Sequence, residues 1–253
     1  MISDEAQSFL THLIELRDRL MRALLAVLVA FLCLLPWAGK IYDLLARPMM
    51  AALPPGTKMI ATGVVTPFMV PIKVTLLAAM VLALPVVLYQ VWAFIAPGLY
   101  KHEKRFALPL VIGSTLLFLL GMGFCYFFVF GTVFRFIAQF APASITPAPD
   151  IEQYLSFVMT MFLAFGTTFE VPVIVVLLVR FGVVGLDKLK EMRPYAMVGA
   201  FIIAAVVTPP DVTSQVMLAV PMCLLYEFGL LLARFAAKPT EPEPEQEQEP
   251  LSS

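Results

Sequence analysis

Residues 106–134, between Arg105 and Arg135, read FALPLVIGSTLLFLLGMGFCYFFVFGTVF, twenty-nine consecutive residues without a charge. As an α-helix this run is about 43 Å long, against a bilayer hydrocarbon core of about 30 Å. Both its length and its all-round apolar character fit a membrane span. The same reading extends outward in both directions. Toward the N-terminus, seventeen uncharged residues separate Arg22 from Lys40 and twenty-seven separate Lys73 from Lys101. Toward the C-terminus, residues 155–179 form a fourth run, interrupted only by Glu170. Residues 195–233 would make one helix of roughly 58 Å, nearly twice the core thickness. Thr208-Pro209-Pro210-Asp211 divides it, because two adjacent prolines remove two backbone donors and clash with the preceding turn. The expected fold is therefore all-α, with six transmembrane helices and a short fifth and sixth span.

Composition agrees. Hydrophobic residues make up 60% of the 253 and charged residues 14%, with a mean hydropathy of +0.90, whereas soluble domains are about 45–50% apolar and about 25% charged. Twelve lysines and arginines fall on one side of the six spans: Arg17, Arg19 and Arg22, then Lys101, Lys104 and Arg105, then Arg180, Lys188, Lys190 and Arg193, and finally Arg234 and Lys238. Five fall on the other: Lys40, Arg47, Lys58, Lys73 and Arg135. The positive-inside rule then puts both termini in the cytoplasm. Residues 1–237 are expected as one membrane domain. Residues 238–253, with Glu241, Glu243, Glu245, Glu247 and Glu249 among prolines and glutamines, are expected as a disordered acidic cytoplasmic tail.

Within the spans, Pro85, Pro109, Pro172 and Pro221 each remove a helix hydrogen bond and favour a curved, concave bundle. The first outer loop, Lys40 to Lys73, carries a short amphipathic candidate (Ile41, Leu44, Leu45, Met49) and is expected as a structured cap. At the N-terminus, Phe9, Leu10, Leu13, Ile14, Leu16 and Leu20 alternate with Asp4, Glu5, Glu15, Arg17, Asp18 and Arg19 at helical spacing. That pattern predicts an amphipathic helix on the inner leaflet, either as a lead-in to span one or as a recognition element.

Three features bear on chemistry. Glu170 lies ten residues before Arg180, so about 15 Å into the membrane, and is either a functional polar site or a hydrogen-bonded core acid beside Thr167 and Thr168. Glu103 stands among Lys101, His102, Lys104 and Arg105, close to Trp92 and Phe94, as a functional acid or as charge balance for its loop. The two histidines, His12 and His102, lie outside the spans, no aspartate lies inside one, and neither His-Glu-x-x-His nor a P-loop is present. Enzymatic chemistry is excluded on that reading and no cofactor is implied. Cys33, Cys125 and Cys223 each sit in an apolar run without Cys-x-x-Cys spacing, as small hydrophobes.

Several separated segments, in order, resemble the TatC family: His12-Leu13-Ile14-Glu15-Leu16-Arg17-Asp18-Arg19-Leu20, Tyr89 through Arg105, Leu155-Ser156-Phe157, Phe165-Gly166, Phe169-Glu170-Val171-Pro172, Arg193-Pro194-Tyr195 and Thr208-Pro209-Pro210-Asp211. The resemblance implies a core subunit and signal-peptide receptor of the twin-arginine translocase. Such a system exports folded proteins across the bacterial inner membrane using the proton-motive force. It also implies single-span TatA-like and TatB-like partners, self-association in a multi-copy complex, and a cupped six-span fold. By position, Glu15, Phe94 and Glu103 would form the cytoplasmic site for paired arginines, and Glu170 an intramembrane polar site on the concave side. Thr208 and Gln215 would contribute to a partner-helix contact. Position 205, where the family pattern has methionine beside that polar pair, is Ala205 here. The alternative from a different class is a small proton-coupled secondary transporter relaying protons through Glu170, for which matching broken half-helices would be expected and are not seen.

Overall fold

The computed structural model describes residues 4–53, 58–95, 104–140, 148–208 and 212–236. Among these residues every regular element is helical. Helix α1 (Asp4–Leu34) is a single 31-residue helix. No proline or glycine falls between Asp4 and Leu34, so the amphipathic N-terminal segment runs into span one without a break instead of forming a separate element. The first interruption is a 3-10 turn at Leu35–Trp37, where Pro36 sits, followed by α2 (Ala38–Ala52). This α2 is the amphipathic cap helix expected in the outer loop. The apolar run His12–Ala51 is 40 residues long, about 60 Å as helix, so its two ends project beyond a hydrocarbon core.

Span two is a bent pair, α3 (Thr66–Leu82) and α4 (Leu84–Ile95), with 59° between them. Pro85 cannot donate to the preceding turn, and the ladder breaks at Ala83. Span three is α5 (Lys104–Phe124), a five-residue π turn at Cys125–Val129, and α6 (Phe130–Phe140). Nothing in its sequence announces the π turn. Span four is α7 (Ile151–Phe169) and α8 (Val171–Arg180), separated at Glu170 because Pro172 lacks the N–H that would continue the ladder. A short α9 (Leu186–Glu191) leads to span five, α10 (Arg193–Val207), and span six, α11 (Val212–Ala236). At 15 residues α10 is short as expected, whereas α11 runs for 25 residues. The shortness is confined to the fifth span, because the diproline stops α10 and nothing comparable limits α11. Pro109 and Pro221 sit inside continuous helices, so of the four span prolines Pro85 and Pro172 alone interrupt one.

Packing follows residue size. Ala26 and Ala30 of α1 meet Ala79 and Ala83 of α3 and the bend, small residues that let two membrane helices approach closely. Spans three and four exchange glycines for rings. A Cβ on Gly121 would stand 2.5 Å from the Phe165 carbonyl and 2.9 Å from the Phe169 ring, and one on Gly166 would overlap the Phe118 ring. Around this contact Phe130, Phe134, Phe162 and Phe165 form the centre of the largest buried cluster.

The end bearing the loop between Lys40 and Lys73 is tied by polar contacts. Asp150 caps α7, accepting from the Glu152 and Gln153 amides at 2.9 and 3.1 Å, and accepts from the Thr62 amide (3.1 Å) and hydroxyl (2.8 Å) across the loops. Lys73 pairs with Glu152 at 2.6 Å. Helix α2 is pinned by an unusual route. Pro48 has no N–H for the Leu44 carbonyl, and the Tyr126 hydroxyl donates to that oxygen instead (2.8 Å), while Tyr154 donates to the Leu45 carbonyl (2.7 Å).

Candidate functional site

At the opposite end, which carries the start of α1 and the end of α4, one of the expected site residues, Phe94, meets α1. His12 stacks on Phe94 with ring centroids 4.4 Å apart and planes inclined by 22°. Glu15 lies three residues on from His12, so one helical turn places it on the same face of α1. The bend at Ala83 directs α4 toward this end of α1, and the α1–α4 interface continues inward through Val27, Phe31 and Val87. Gln90, one turn inside Phe94, is buried with its Oε1 lacking a hydrogen-bond partner among the described residues.

Glu15 is engaged by its own helix. Arg19 donates from Nε to Glu15 Oε1 at 3.0 Å and from Nη2 to the same oxygen. Arg17 is held in turn by Asp18 at 2.8 Å. A shallow polar cleft runs over this surface, lined by Ile14, Glu15, Asp18, Arg19 and Arg22. Glu103, the third expected member, lies outside the described residues.

Glu170 occupies the break between α7 and α8 and is 6% exposed. The Thr167 hydroxyl donates to the Leu163 carbonyl of its own helix at 2.7 Å and so does not serve the carboxyl. The Ser114 hydroxyl borders the carboxyl from α5 at a geometry short of a hydrogen bond, and both carboxyl oxygens are buried without a hydrogen-bond partner among the described residues. Ser114 itself accepts from the Trp92 indole N–H at 2.9 Å. A chain of polar groups thus runs from α4 through α5 to Glu170 inside an otherwise apolar layer of Leu84, Leu88, Phe118 and Leu177. A buried carboxyl left without partners is costly, and such a group in a span marks a site better than it marks a stabilising contact.

Thr208 caps the end of α10 and Gln215 lies in the first turn of α11. Thr208 is buried and donates to the Ala204 carbonyl at 2.8 Å, so its oxygen remains available only as an acceptor. Gln215 makes a long bond to the Phe201 carbonyl (3.4 Å) and lines an apolar groove between α10 and α11 with Met197, Val198, Phe201, Ile202 and Ala205. Thr208 does not line that groove. Toward the basic end, Glu227 pairs with Arg193 at 2.9 Å, not with the sequence-near Arg234. Among the described residues no group of three or more His, Cys, Asp or Glu side chains is placed to hold a metal ion.

Sequence reasoning missed the His12–Phe94 stack, the Trp92–Ser114 bond and the Asp150 clasp, each of which joins residues far apart in the chain. Arg19 could have been found, since Glu15 and Arg19 stand at i, i+4 spacing in a helical pattern.

Comparison with known proteins agrees with this arrangement. A family model described as the Sec-independent protein translocase protein TatC matches residues 11–221. The chain is 51% identical over 235 residues to the Sec-independent protein translocase protein TatC of Escherichia coli K12, covering 93% of this chain and 91% of that one. To the TatC of Haemophilus influenzae it is 50% identical over 232 residues, covering 92% and 91%. A crystal structure of the twin-arginine translocase receptor TatC superposes with a TM-score of 0.77 at 38% identity, covering 89% of this chain and 99% of that chain. With its six-span fold, its ordered motifs and relatives matched over nearly their whole length, this multi-pass membrane protein belongs to the TatC family of Sec-independent protein translocase proteins.

Proposed function

We propose that this chain is the signal-peptide receptor and core of a twin-arginine translocase in a bacterial inner membrane, with both termini cytoplasmic. It captures the paired arginines of a folded cargo's signal peptide at the basic end of spans one and two, and the proton-motive force drives export. The observation that carries the reading is the His12–Phe94 stack, which brings the α1 face bearing Glu15 to an aromatic nine residues before Glu103 in the chain. A carboxylate suits the task, because a guanidinium presents a planar fork that bonds it bidentately whereas an ammonium offers a point charge. Phe94 adds a ring face for cation–π attraction.

Glu170 is the intramembrane polar site in this reading, reached as the peptide inserts more deeply. The α10–α11 edge, with Gln215 in its groove and Thr208 as an acceptor at the hairpin, receives the single helix of a TatA-like or TatB-like partner. A polar contact at such an edge is worth roughly 0.6–2 kcal/mol. The transporter alternative is not favoured, since the relatives covering nearly the whole chain are protein translocase components.

A photoreactive residue at position 94, in the full chain in inverted membrane vesicles, tests the reading. Twin-arginine precursor should crosslink there and excess twin-arginine peptide, but not twin-lysine peptide, should compete. Equal competition by both peptides would remove the receptor assignment from this end of the molecule.

A further inference from the structure

We propose that Arg19 is an intramolecular competitor for the Glu15 carboxylate, setting the affinity of the signal-peptide site without setting its selectivity. The inference rests on the receptor reading above. Glu15 and Arg19 are one turn apart on α1, with the acid on the N-terminal side, the orientation that favours an i, i+4 ion pair. Two Arg19 nitrogens converge on one Glu15 oxygen, so the receptor carries in cis the same guanidinium–carboxylate contact that it is to make in trans. Arg19 is the drawn-in member of its pair: its side chain is 20% exposed, against 69% for Arg17 in the neighbouring pair with Asp18. Both Glu15 and Arg19 line the polar cleft at this end, so an incoming guanidinium that bonds both Glu15 oxygens displaces Arg19 from Oε1 into that cleft.

Mass action gives the consequence. If the site is competent only when Arg19 has left, every cationic ligand is weakened by the same factor, the inverse of the competent fraction. A helix-surface pair of this kind, with one partner partly withdrawn from water, corresponds to roughly a two- to five-fold effect. The cis pair also keeps the Glu15 charge neutralised when no peptide is bound, and returns to it when the peptide departs. Arg19 thereby favours release of the signal peptide once cargo has moved on.

The test titrates fluorescent twin-arginine and twin-lysine signal peptides against the full chain in inverted membrane vesicles. Arg19→Gln is expected to tighten both peptides by the same two- to five-fold, leaving their ratio unchanged, and Arg19→Lys should fall between it and the wild type. Arg22→Gln removes an equal charge three residues further along α1 without touching the pair, and should tighten binding less. In a Glu15→Gln background, Arg19→Gln should do no more than Arg22→Gln. Unchanged or weakened binding in Arg19→Gln, a changed peptide ratio, or an equal gain from Arg22→Gln would each overturn the proposal. Should the wild type fail to bind the twin-arginine peptide, the receptor reading falls and takes this inference with it; normal wild-type binding with an inert Arg19→Gln removes this inference alone.

Discussion

At Glu170 an acid sits in the middle of a span, at a proline break, with both oxygens buried and without hydrogen-bond partners among the described residues. Stability does not explain its presence, because an apolar side chain of similar volume would avoid the desolvation cost. Glu170→Gln is therefore expected to insert and fold normally while export falls. Glu170→Leu should be equally stable or about 1–3 kcal/mol more stable, again with export lost. Thermal unfolding in detergent, set beside an export assay, checks both halves, and full export in Glu170→Leu would reduce the residue to a packing role. The sequence made Glu170 conspicuous because charge is rare in a span. It could not reveal Ser114 and Trp92 as its neighbours, since that chain depends on how α4, α5 and α7 are brought together. Glu15 shows the converse. The family resemblance pointed it to arginine recognition, and its present partner is an arginine of its own helix.

Among elements, proline was legible where it stops or breaks a helix and misleading where it does not. The diproline limits α10 to 15 residues, and Pro85 produces the bend of 59°. Pro109 and Pro221 lie in unbroken helices, because neighbouring packing can hold a helix that has lost one bond. The π turn and the tyrosine bonds to the α2 carbonyls were hidden, the first because no residue type encodes it and the second because it spans separate elements. The Asp150 clasp carries a pH prediction. Hydrogen bonds, first from the Thr62 hydroxyl and then from the Gln153 amide, hold the Asp150 carboxyl below the ordinary aspartate value despite the opposing effect of burial. A lowered carboxyl contributes its full stabilisation above its unfolded value of about 3.9, and loses it as pH falls from there through the folded value. The thermal advantage of wild type over Asp150→Ala should thus be level from pH 7 to about pH 5 and decline below it. A decline already complete at pH 6 would show that the clasp does not depend on this ionisation.

For the molecule as a whole, the six-span architecture was legible because hydrocarbon tolerates so few alternatives: uncharged runs of span length must be helices. What the sequence could not supply was the order of packing, in which α11 lies along α8 and α5 along α7. The distribution of basic residues adds orientation, and predicts that cysteines introduced at positions 58 and 146 react with an impermeant reagent from the outside. Cysteines at 101 and 188 should react only from the cytoplasmic side. Labelling at position 101 from outside would overturn the topology and, with it, the cytoplasmic placement of the receptor site.

That placement leads to the most direct measurement, the ratio of affinities for twin-arginine and twin-lysine peptides in the wild type and in Glu103→Gln. Charge-assisted contacts at a partly solvated site are worth about 1–3 kcal/mol, so Glu103→Gln should weaken the twin-arginine peptide by roughly ten-fold or more, with Glu15→Gln doing less and the double variant more. The guanidinium loses its bidentate partner while the ammonium loses a single point contact, so the ratio should shrink. A ratio that stays at its wild-type value in Glu103→Gln would mean that Glu103 only balances the charge of its loop, and would contradict the account.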